Sequence, residues 1–287
     1  MKRLIISMGI LILLFIQALQ AQEAYSMYTF LDNWMRKDNG ASLRDNPGYV
    51  EFLRLLTPEE LGYVRNAIFA KKGHIFEKEK YKHFFEFCIW AQPCQREKPL
   101  TANDSANLAL VASFTSAYQD RFQAFLSRFD KARFPVEVDA NSSYSDRDTL
   151  NDTDVCTFLY SDEAPEDRHS RFLNCSFGVN FPLFTFSTDS FVGICYVSMW
   201  GAGGGLDRYE LLTFSRDGRK LCGQLIGCWQ REVDYKETSH AMIDEHLQIR
   251  EVERHVEYDL DDNMNPRDSS TTTKANTYHV TPSGRIE

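Results

Sequence analysis

The sequence predicts an α+β fold, in which a small helical bundle precedes an antiparallel β meander that is a sandwich, an open barrel or a partial propeller. Apolar residues recur at helical spacing as far as Phe129, whereas from Phe134 onward the period is two and Thr, Tyr, Val and Phe are frequent. The charge changes at the same place, because the first half is close to neutral and the second is strongly acidic. We therefore expect a domain boundary near residue 135.

The first 21 residues have the pattern of a secretory signal peptide. Lys2 and Arg3 precede an apolar run from Leu4 to Ile16, and the small-residue site 19–21 follows. This run is shorter than the roughly 20 residues that a membrane-spanning helix needs. We expect cleavage before Gln22 and a periplasmic or extracellular location, with a retained anchor as the alternative. No later segment is apolar enough to predict a membrane span.

The remaining chain is long enough for two ordinary domains. We expect a helical domain over residues 22–135 and an antiparallel β domain over residues 136–287. The acidic second half argues against nucleic acid as a partner, because the phosphates would be repelled.

Seven cysteines occur, and an exported chain can oxidise them. Three local disulfides are candidates, namely Cys88 with Cys94, Cys222 with Cys228, and Cys156 with Cys175. Cys195 is left over in an apolar strand, where a small buried side chain is expected. The spacing of the cysteines and histidines does not predict a zinc site.

Four helices are expected in the first domain. They are residues 45–56, a helix that begins after Thr57, residues 77–87, and residues 104–129. Thr57 is a candidate N-cap, Pro58 suits the first turn, and Glu60 completes a capping box. Gly73 is expected to end the second helix in a left-handed conformation.

Residues 61–76 read LGYVRNAIFAKKGHIF, and this stretch resembles the core motif of the YARHG domain family. The matching positions extend to about residues 55–95, with Phe69, Lys72 and Ala91 departing from the usual tyrosine, histidine and tyrosine. The positions in register include Arg65, Asn66, Gly73, Phe76, Trp90 and Pro93. The resemblance implies a small helical module of bacterial envelope and secreted proteins, and it implies no known chemistry.

The motif has a structural and a functional interpretation. In the first, Arg65 or Asn66 bonds the connector backbone or a helix end and orders the turn after Gly73. In the second, Lys71 and Lys72, with other lysines at the same corner, bind a phosphate or carboxylate of the cell envelope.

Ten strands are expected in the second domain. They are residues 155–160, 172–178, 183–186, 192–200, 209–215, 221–228, 240–249, 251–258, 277–281 and 284–286. Asp217-Gly218 is a strong hairpin signal, and Pro282 to Gly284 predicts another turn.

The loop from Trp200 to Asp207 contains four glycines and predicts a second candidate site. Glycines let a ligand approach the backbone, Trp200 offers an aromatic platform for a sugar ring, and Asp207 and Arg208 can bond hydroxyl groups. The alternative is a flexible connection between strands. The acidic stretches 151–154 and 259–265 are better read as solvated loops than as calcium sites.

These patterns predict a non-catalytic protein that binds at the cell envelope, either to a glycan of the cell wall or to an envelope protein. No cofactor or metal is expected, and no catalytic residue is singled out. Two alternatives remain, a hydrolase of envelope polymers with an unrecognised carboxylate pair and a structural partner without a small ligand.

Overall fold

The computed structural model describes residues 27–91, 93–94, 97–139, 147–160, 178–200, 205–232, 234–260 and 266–287. The described chain forms two compact units, one of residues 27–118 with Tyr160, the other of residues 119–159 and 178–287. Helices come first and an antiparallel sheet follows, which confirms the predicted α+β class. The predicted boundary near residue 135 stays a prediction.

Within the described residues, five α-helices lie in the N-terminal part. They are α1 (Met27–Asp32), α2 (Pro47–Arg54), α3 (Pro58–Lys71), α4 (Glu79–Glu86) and α5 (Ala102–Leu126). A π-helical turn over Asn33–Lys37 and a 3-10 turn over Leu43–Asp45 lie between α1 and α2. The helix predicted over residues 45–56 therefore begins two residues later, at Pro47, because Asn46 caps it by accepting a hydrogen bond from the Gly48 amide at 3.0 Å.

The start of α3 is the predicted capping box. The Thr57 hydroxyl accepts a hydrogen bond from the Glu60 amide at 3.3 Å, and the Glu60 carboxylate accepts one from the Thr57 amide. Two amides that no helical carbonyl can reach are thereby satisfied. The helix ends at Lys71, and Gly73, two residues further on, has a φ of +91°, which confirms the predicted left-handed position.

The second unit is built on one nine-stranded sheet that does not close. Its strands are β1 (Asp130–Lys131), β2 (Val136–Asp139), β3 (Gly178–Ser187), β4 (Phe191–Trp200), β5 (Leu206–Ser215), β6 (Lys220–Arg231), β7 (Tyr235–Ile243), β8 (Gln248–Leu260) and β9 (Pro266–His279). Strands β3 to β9 follow one another as an antiparallel meander, which confirms the predicted topology. The segment 130–139 pairs with β3 at its start, in parallel, and with β7 at its end.

The sheet buries a different core on each side of its central strands. Cys195 and Val197 of β4, Tyr209 and Leu211 of β5 and Ile249 of β8 belong to one core cluster, and Cys195 is buried as predicted. On the other side, aromatic rings pack together, with centroids 4.7 to 5.5 Å apart in the pairs Phe125–Phe158, Phe122–Phe214 and Phe122–Phe158.

The predicted strand 155–160 is wrong. A short helix, α6 (Asp152–Asp154), leads instead into a π-helical turn over Val155–Leu159. Asn151 starts this helical turn by accepting a hydrogen bond from the Asp154 amide at 2.9 Å, and Phe158 is buried against aromatic rings of α5. Tertiary packing therefore outweighs the β propensity of these residues.

The predicted strand 240–249 is also wrong, because a turn at residues 244–247 divides it into β7 and β8. The Asp244 carboxylate accepts hydrogen bonds from the amides of His246 and Gln248, each at 2.9 Å, and Leu247 has a φ of +60°. The turns at Gly218 and Gly284 are confirmed, since both glycines have positive φ. Of the predicted strand 172–178, only Gly178 lies within the described residues.

Two of the three candidate disulfides are not formed. Cys222 and Cys228 stand six residues apart on β6, so about 20 Å of extended strand separates them, far beyond disulfide reach. Cys88 and Cys94 are not bonded to each other, because the Cys88 thiol is directed to the Phe84 carbonyl and the Cys94 thiol to the Lys72 carbonyl. The third pair includes Cys175, which lies outside the described residues.

Candidate functional site

The connector between α3 and α4, residues 74–78, is shaped by the contacts of Gly73. The Gly73 carbonyl accepts a hydrogen bond from the Cys94 amide at 3.2 Å, and the Lys72 carbonyl accepts one from the Lys98 amide at 2.9 Å. A Cβ on Gly73 would lie 2.1 Å from the Cys94 sulfur, so only glycine fits between these two segments. Cys94 and Lys98 therefore lie against the end of α3 and hold the start of the connector in place.

Two cavities open beside this connector, and residues 74–77 line both of them. We call the first the polar cavity; it has a volume of about 490 Å³ and is lined by Arg65, Asn66, Phe69, His74, Ile75, Phe76, Glu77, Lys78 and Tyr81. We call the second the apolar cavity; it has a volume of about 460 Å³ and is lined by Ala70, His74, Ile75, Phe76, Glu77, Glu79, Lys82, Phe85, Glu86, Ala91 and Pro93. Most of the motif positions that the sequence singled out thus meet at one place.

The polar cavity contains polar groups that the fold leaves available. The guanidinium of Arg65 is exposed and lies 5.6 Å from the centroid of the Phe69 ring. Neither Arg65 nor Asn66 makes a side-chain hydrogen bond within the described part of the chain, although Asn66 is largely buried. The predicted bond from one of them to the connector backbone is therefore not present. Consecutive helical residues diverge by about 100°, which still allows both to border one cavity.

Aromatic rings form the walls around the connector. Phe76 stacks on Phe85 with centroids 5.1 Å apart, and Trp90 packs against Phe85 at 6.0 Å. His74 lies edge-on to Phe76 at 4.7 Å, while its Nδ1 is 2.7 Å from a Glu97 carboxylate oxygen. Pro93 closes one side of the apolar cavity. Phe76, Trp90 and Pro93 therefore all lie around the connector, and their structural role in the motif stays a prediction.

Lys71 and Lys72, the predicted ligand contacts, are both engaged within the helical unit. The Lys71 ammonium donates hydrogen bonds to the Met35 carbonyl at 2.9 Å and to the Asn39 side chain at 2.8 Å. Burial, and then the nearby charge of Lys72, lowers the pKa of Lys71. Lys72 forms a largely buried ion pair with Asp104 at 2.7 Å. A ligand would have to displace these contacts to reach either amine.

The two lysines that flank this corner on α4 are also paired. Lys80 lies 2.7 Å from a Glu59 carboxylate oxygen, and Lys82 lies 3.4 Å from one of Glu79. Lys78, which lines the polar cavity, has no ion-pair partner within the described residues. Arg65 and Lys78 are thus the cations that this corner offers to a ligand.

The second candidate site, which consists of Trp200, Asp207 and Arg208 and which we call the rim, is divided between the two faces of the sheet. Trp200 pairs with Leu206 and Met199 pairs with Asp207. Residues paired across antiparallel strands share a face, and neighbours along a strand alternate. Trp200 and Arg208 therefore lie on one face and Asp207 on the other. Gly201 to Gly204 of the loop lie outside the described residues.

Two buried polar atoms flank that loop. The indole Nε1 of Trp200 and one carboxylate oxygen of Asp207 have no hydrogen-bond partner within the described residues. Burial raises the pKa of Asp207 above its ordinary value. Arg208 is half-exposed, and its Nε lies 3.8 Å from the Glu210 carboxylate.

A row of polar groups on β8 and β9 was missed by sequence reasoning. Glu251 is only 3% exposed, and its carboxylate accepts hydrogen bonds from Asn276 at 3.1 Å and from Tyr278 at 3.3 Å. Asn276 also donates to Glu253 at 2.8 Å. Burial raises the pKa of Glu251, with a smaller contribution from Glu253. Because the carboxyl is enclosed, a substrate could not reach it without opening the sheet.

Among the described residues, no three His, Cys, Asp or Glu side chains are grouped closely enough to hold a metal ion. His240 and His255 instead lie near carboxylates, with His255 3.7 Å from Glu237. Of the acidic stretch 259–265, residues 261–265 lie outside the described part of the chain. Within the described residues, none of the helices is both long and apolar enough to cross a membrane.

The fold and the site together define a two-unit α+β protein whose helical unit presents two cavities at one connector. Residues 51–116 match the family model of the YARHG domain, which confirms the resemblance and extends it into α5. The YARHG domain is found in exported bacterial proteins. Comparison with curated proteins and with solved structures found no match for this chain.

Proposed function

We propose that the chain is an exported, non-catalytic protein that binds an acidic glycan of the cell envelope in the polar cavity. The observation that carries this proposal is the side-by-side placement of Arg65, Asn66 and Lys78 in one cavity without acidic partners of their own among the described residues. Fixed cations and amide groups recognise carboxylates through charge-assisted hydrogen bonds. The matched YARHG domain supports export, and it names no ligand.

A sugar is favoured over a free anion because the same cavity has aromatic walls. Phe69, Phe76 and Tyr81 line it together with the polar groups. The face of an aromatic ring suits the C–H face of a sugar, and the surrounding amide, ammonium and guanidinium groups suit its hydroxyl and carboxyl groups. Glu77 also lines the cavity and would repel a ligand with too many negative charges.

A titration with paired oligosaccharides tests the proposal. The purified mature chain is titrated with a uronic-acid oligosaccharide and with the same oligosaccharide after reduction of its carboxyl groups. We expect binding of the acidic form alone. Arg65→Gln should weaken that binding by about tenfold or more, because it removes a hydrogen bond to a charged group. Arg44→Gln removes an equally exposed cation outside the cavity and is expected to bind like the wild type.

Three results would count against the proposal. They are equal affinity for the acidic and neutral forms, wild-type affinity in Arg65→Gln, and no saturable binding of either oligosaccharide. The thermal unfolding midpoint of each variant is measured in parallel, so that a folding defect is not mistaken for a binding defect.

The rim around Trp200 is proposed as a second contact for the same polymer. Because Trp200 and Arg208 share a face of the sheet, one ligand can meet both of them, whereas Asp207 faces away. Trp200→Ala and Arg208→Gln should each reduce retention on purified cell-wall polysaccharide. Arg254→Gln, at an exposed position on β8, serves as the matched control, and retention that is unchanged in Trp200→Ala would remove this rim from the account.

A further inference from the structure

The apolar cavity has a chemistry that does not suit a sugar. Its walls are Ile75, Phe76, Phe85, Ala91 and Pro93, which offer few hydrogen-bonding groups. Apolar walls favour the burial of an apolar group, at about 25 cal/mol for each Å² removed from water. This cavity therefore needs a different occupant from the one proposed for the polar cavity.

Exposed apolar side chains are concentrated in the same part of the chain. Ile75, at the cavity, is 64% exposed, and Phe87 and Ile89 just after α4 are 64% and 70% exposed. Leu100 is the fourth large exposed apolar side chain between residues 75 and 100. Ile75 is the member of this group that lines the cavity, and an exposed apolar side chain at an apolar cavity rimmed by polar groups marks an interaction site more often than a scattered single residue does.

The rim of the cavity is acidic. Glu77, Glu79 and Glu86 line it, and Lys82 is the cation among the described lining residues. Lys82 lies 3.4 Å from Glu79, whereas Glu77 and Glu86 have no ion-pair partner within the described part of the chain. Two carboxylates are therefore available to attract a positive charge carried beside an apolar group.

We propose that the apolar cavity docks a segment of another protein that carries an aromatic or branched apolar side chain next to Lys or Arg. The apolar side chain enters between Phe76, Phe85 and Pro93, and the neighbouring cation meets Glu77 or Glu86. An anionic lipid surface fits less well, because the rim carboxylates would be repelled by it. The proposal does not use the cations of the glycan site, since Arg65, Asn66 and Lys78 do not line this cavity, although residues 74–77 line both cavities.

Three labelled pentapeptides with blocked ends test the proposal by fluorescence anisotropy on the full mature chain. Their sequences are Gly-Lys-Phe-Lys-Gly, Gly-Lys-Ala-Lys-Gly and Gly-Glu-Phe-Glu-Gly, so that the second lacks the apolar group and the third has the opposite charge. We expect the first to bind, and each of the other two to bind at least about tenfold more weakly, because one loses the buried ring and the other faces like charges.

Variants then separate this cavity from its neighbour. The double change Glu77→Gln/Glu86→Gln should weaken the first peptide by about threefold to tenfold and reduce the salt dependence of its binding. Glu51→Gln removes an exposed carboxylate of α2 and is the matched control. Arg65→Gln should leave peptide binding unchanged, so a failed glycan site and a failed peptide site give different results.

The proposal is overturned by equal binding of the three peptides, or by wild-type affinity in the double variant. It is also overturned if the first peptide shows no saturable binding up to about 1 mM. Finally, the full chain is mixed with phosphatidylglycerol vesicles. Sedimentation with the vesicles that is lost in the Ile75→Ser variant, without peptide binding, would assign the surface to a membrane instead.

Discussion

Replacement of Gly73 by alanine should be the most damaging single change in the helical unit. At a φ of +91° an alanine is strained by about 1 kcal/mol or more. Its Cβ would also overlap the Cys94 sulfur, at 2.1 Å, and lie 3.2 Å from the Cys94 amide nitrogen. Cys94 and Lys98 would have to retreat and lose their two backbone hydrogen bonds to the end of α3, at about 1 kcal/mol each. We expect a total loss of about 3 kcal/mol in the free energy of unfolding.

Urea unfolding followed by circular dichroism in the helical band measures this loss. Cys94→Ala removes the overlapping sulfur, so the double variant Gly73→Ala/Cys94→Ala should be more stable than the sum of the two single effects predicts. Gly48→Ala is the control, because that glycine has no positive φ and only the Asn46 side chain near it. A loss below about 0.5 kcal/mol in Gly73→Ala, or strictly additive effects in the double variant, would refute the argument.

Three further predictions concern caps and buried carboxyl groups. Thr57→Ala should destabilise the protein by about 1 kcal/mol in urea, whereas Thr57→Ser should not, because serine keeps the capping hydroxyl. Burial tends to raise the pKa of Asp104, but hydrogen bonds from Lys72 and Thr101 outweigh burial and hold that pKa below its ordinary value. The ionised Asp104 therefore stabilises the protein at pH values above the ordinary Asp pKa, and this stabilisation is lost as the pH falls through the lowered pKa. Asp104→Asn should accordingly make the stability depend less steeply on pH in the acid range. For Glu251 the pH dependence of stability has the opposite sign, because burial raises the pKa of this carboxyl. Stability is lost as the pH rises from the ordinary Glu pKa through the raised one, and Glu251→Gln should remove that loss. Unfolding midpoints measured across pH for the wild type and each variant check the two carboxyl predictions. A variant curve that runs parallel to the wild-type curve would contradict the prediction for that residue.

The parts of the fold that the sequence predicted correctly depend on local chemistry. The capping box of Thr57 and Glu60, the left-handed Gly73 and the hairpin at Gly218 are each decided within a few residues. The strand prediction for residues 155–160 was wrong for the opposite reason. The helical form of residues 155–159 is stabilised by contacts of Phe158 with Phe122 and Phe125, which lie more than 30 positions earlier in the chain. Strand β9 is longer than predicted because its Ser and Thr residues pair along all of β8 rather than covering an apolar face.

The candidate sites were predicted in part for the same reason. The YARHG-like motif includes the connector beside which both cavities open, but its two lysines contact other groups of the helical unit. Nothing in the local sequence shows that Lys71 reaches the Met35 carbonyl. Likewise, the sequence places Trp200 and Asp207 near each other without giving the register of β4 on β5. That register decides the face to which each side chain points. Nothing in the sequence indicates that Glu251 is buried, since a single Glu in an alternating strand normally faces water.

A change in the shared connector should affect both the stability of the helical unit and binding at the two cavities. Because residues 74–77 line both cavities, a change that shifts the connector should weaken the acidic oligosaccharide and the Gly-Lys-Phe-Lys-Gly peptide together. Gly73→Ala is such a change, assayed at a temperature where the variant is still folded. Arg65→Gln and Glu77→Gln/Glu86→Gln should each weaken mainly one ligand. If Gly73→Ala weakened only one of the two, the cavities would not depend on a common connector, and the two binding proposals would have to rest on separate structural grounds.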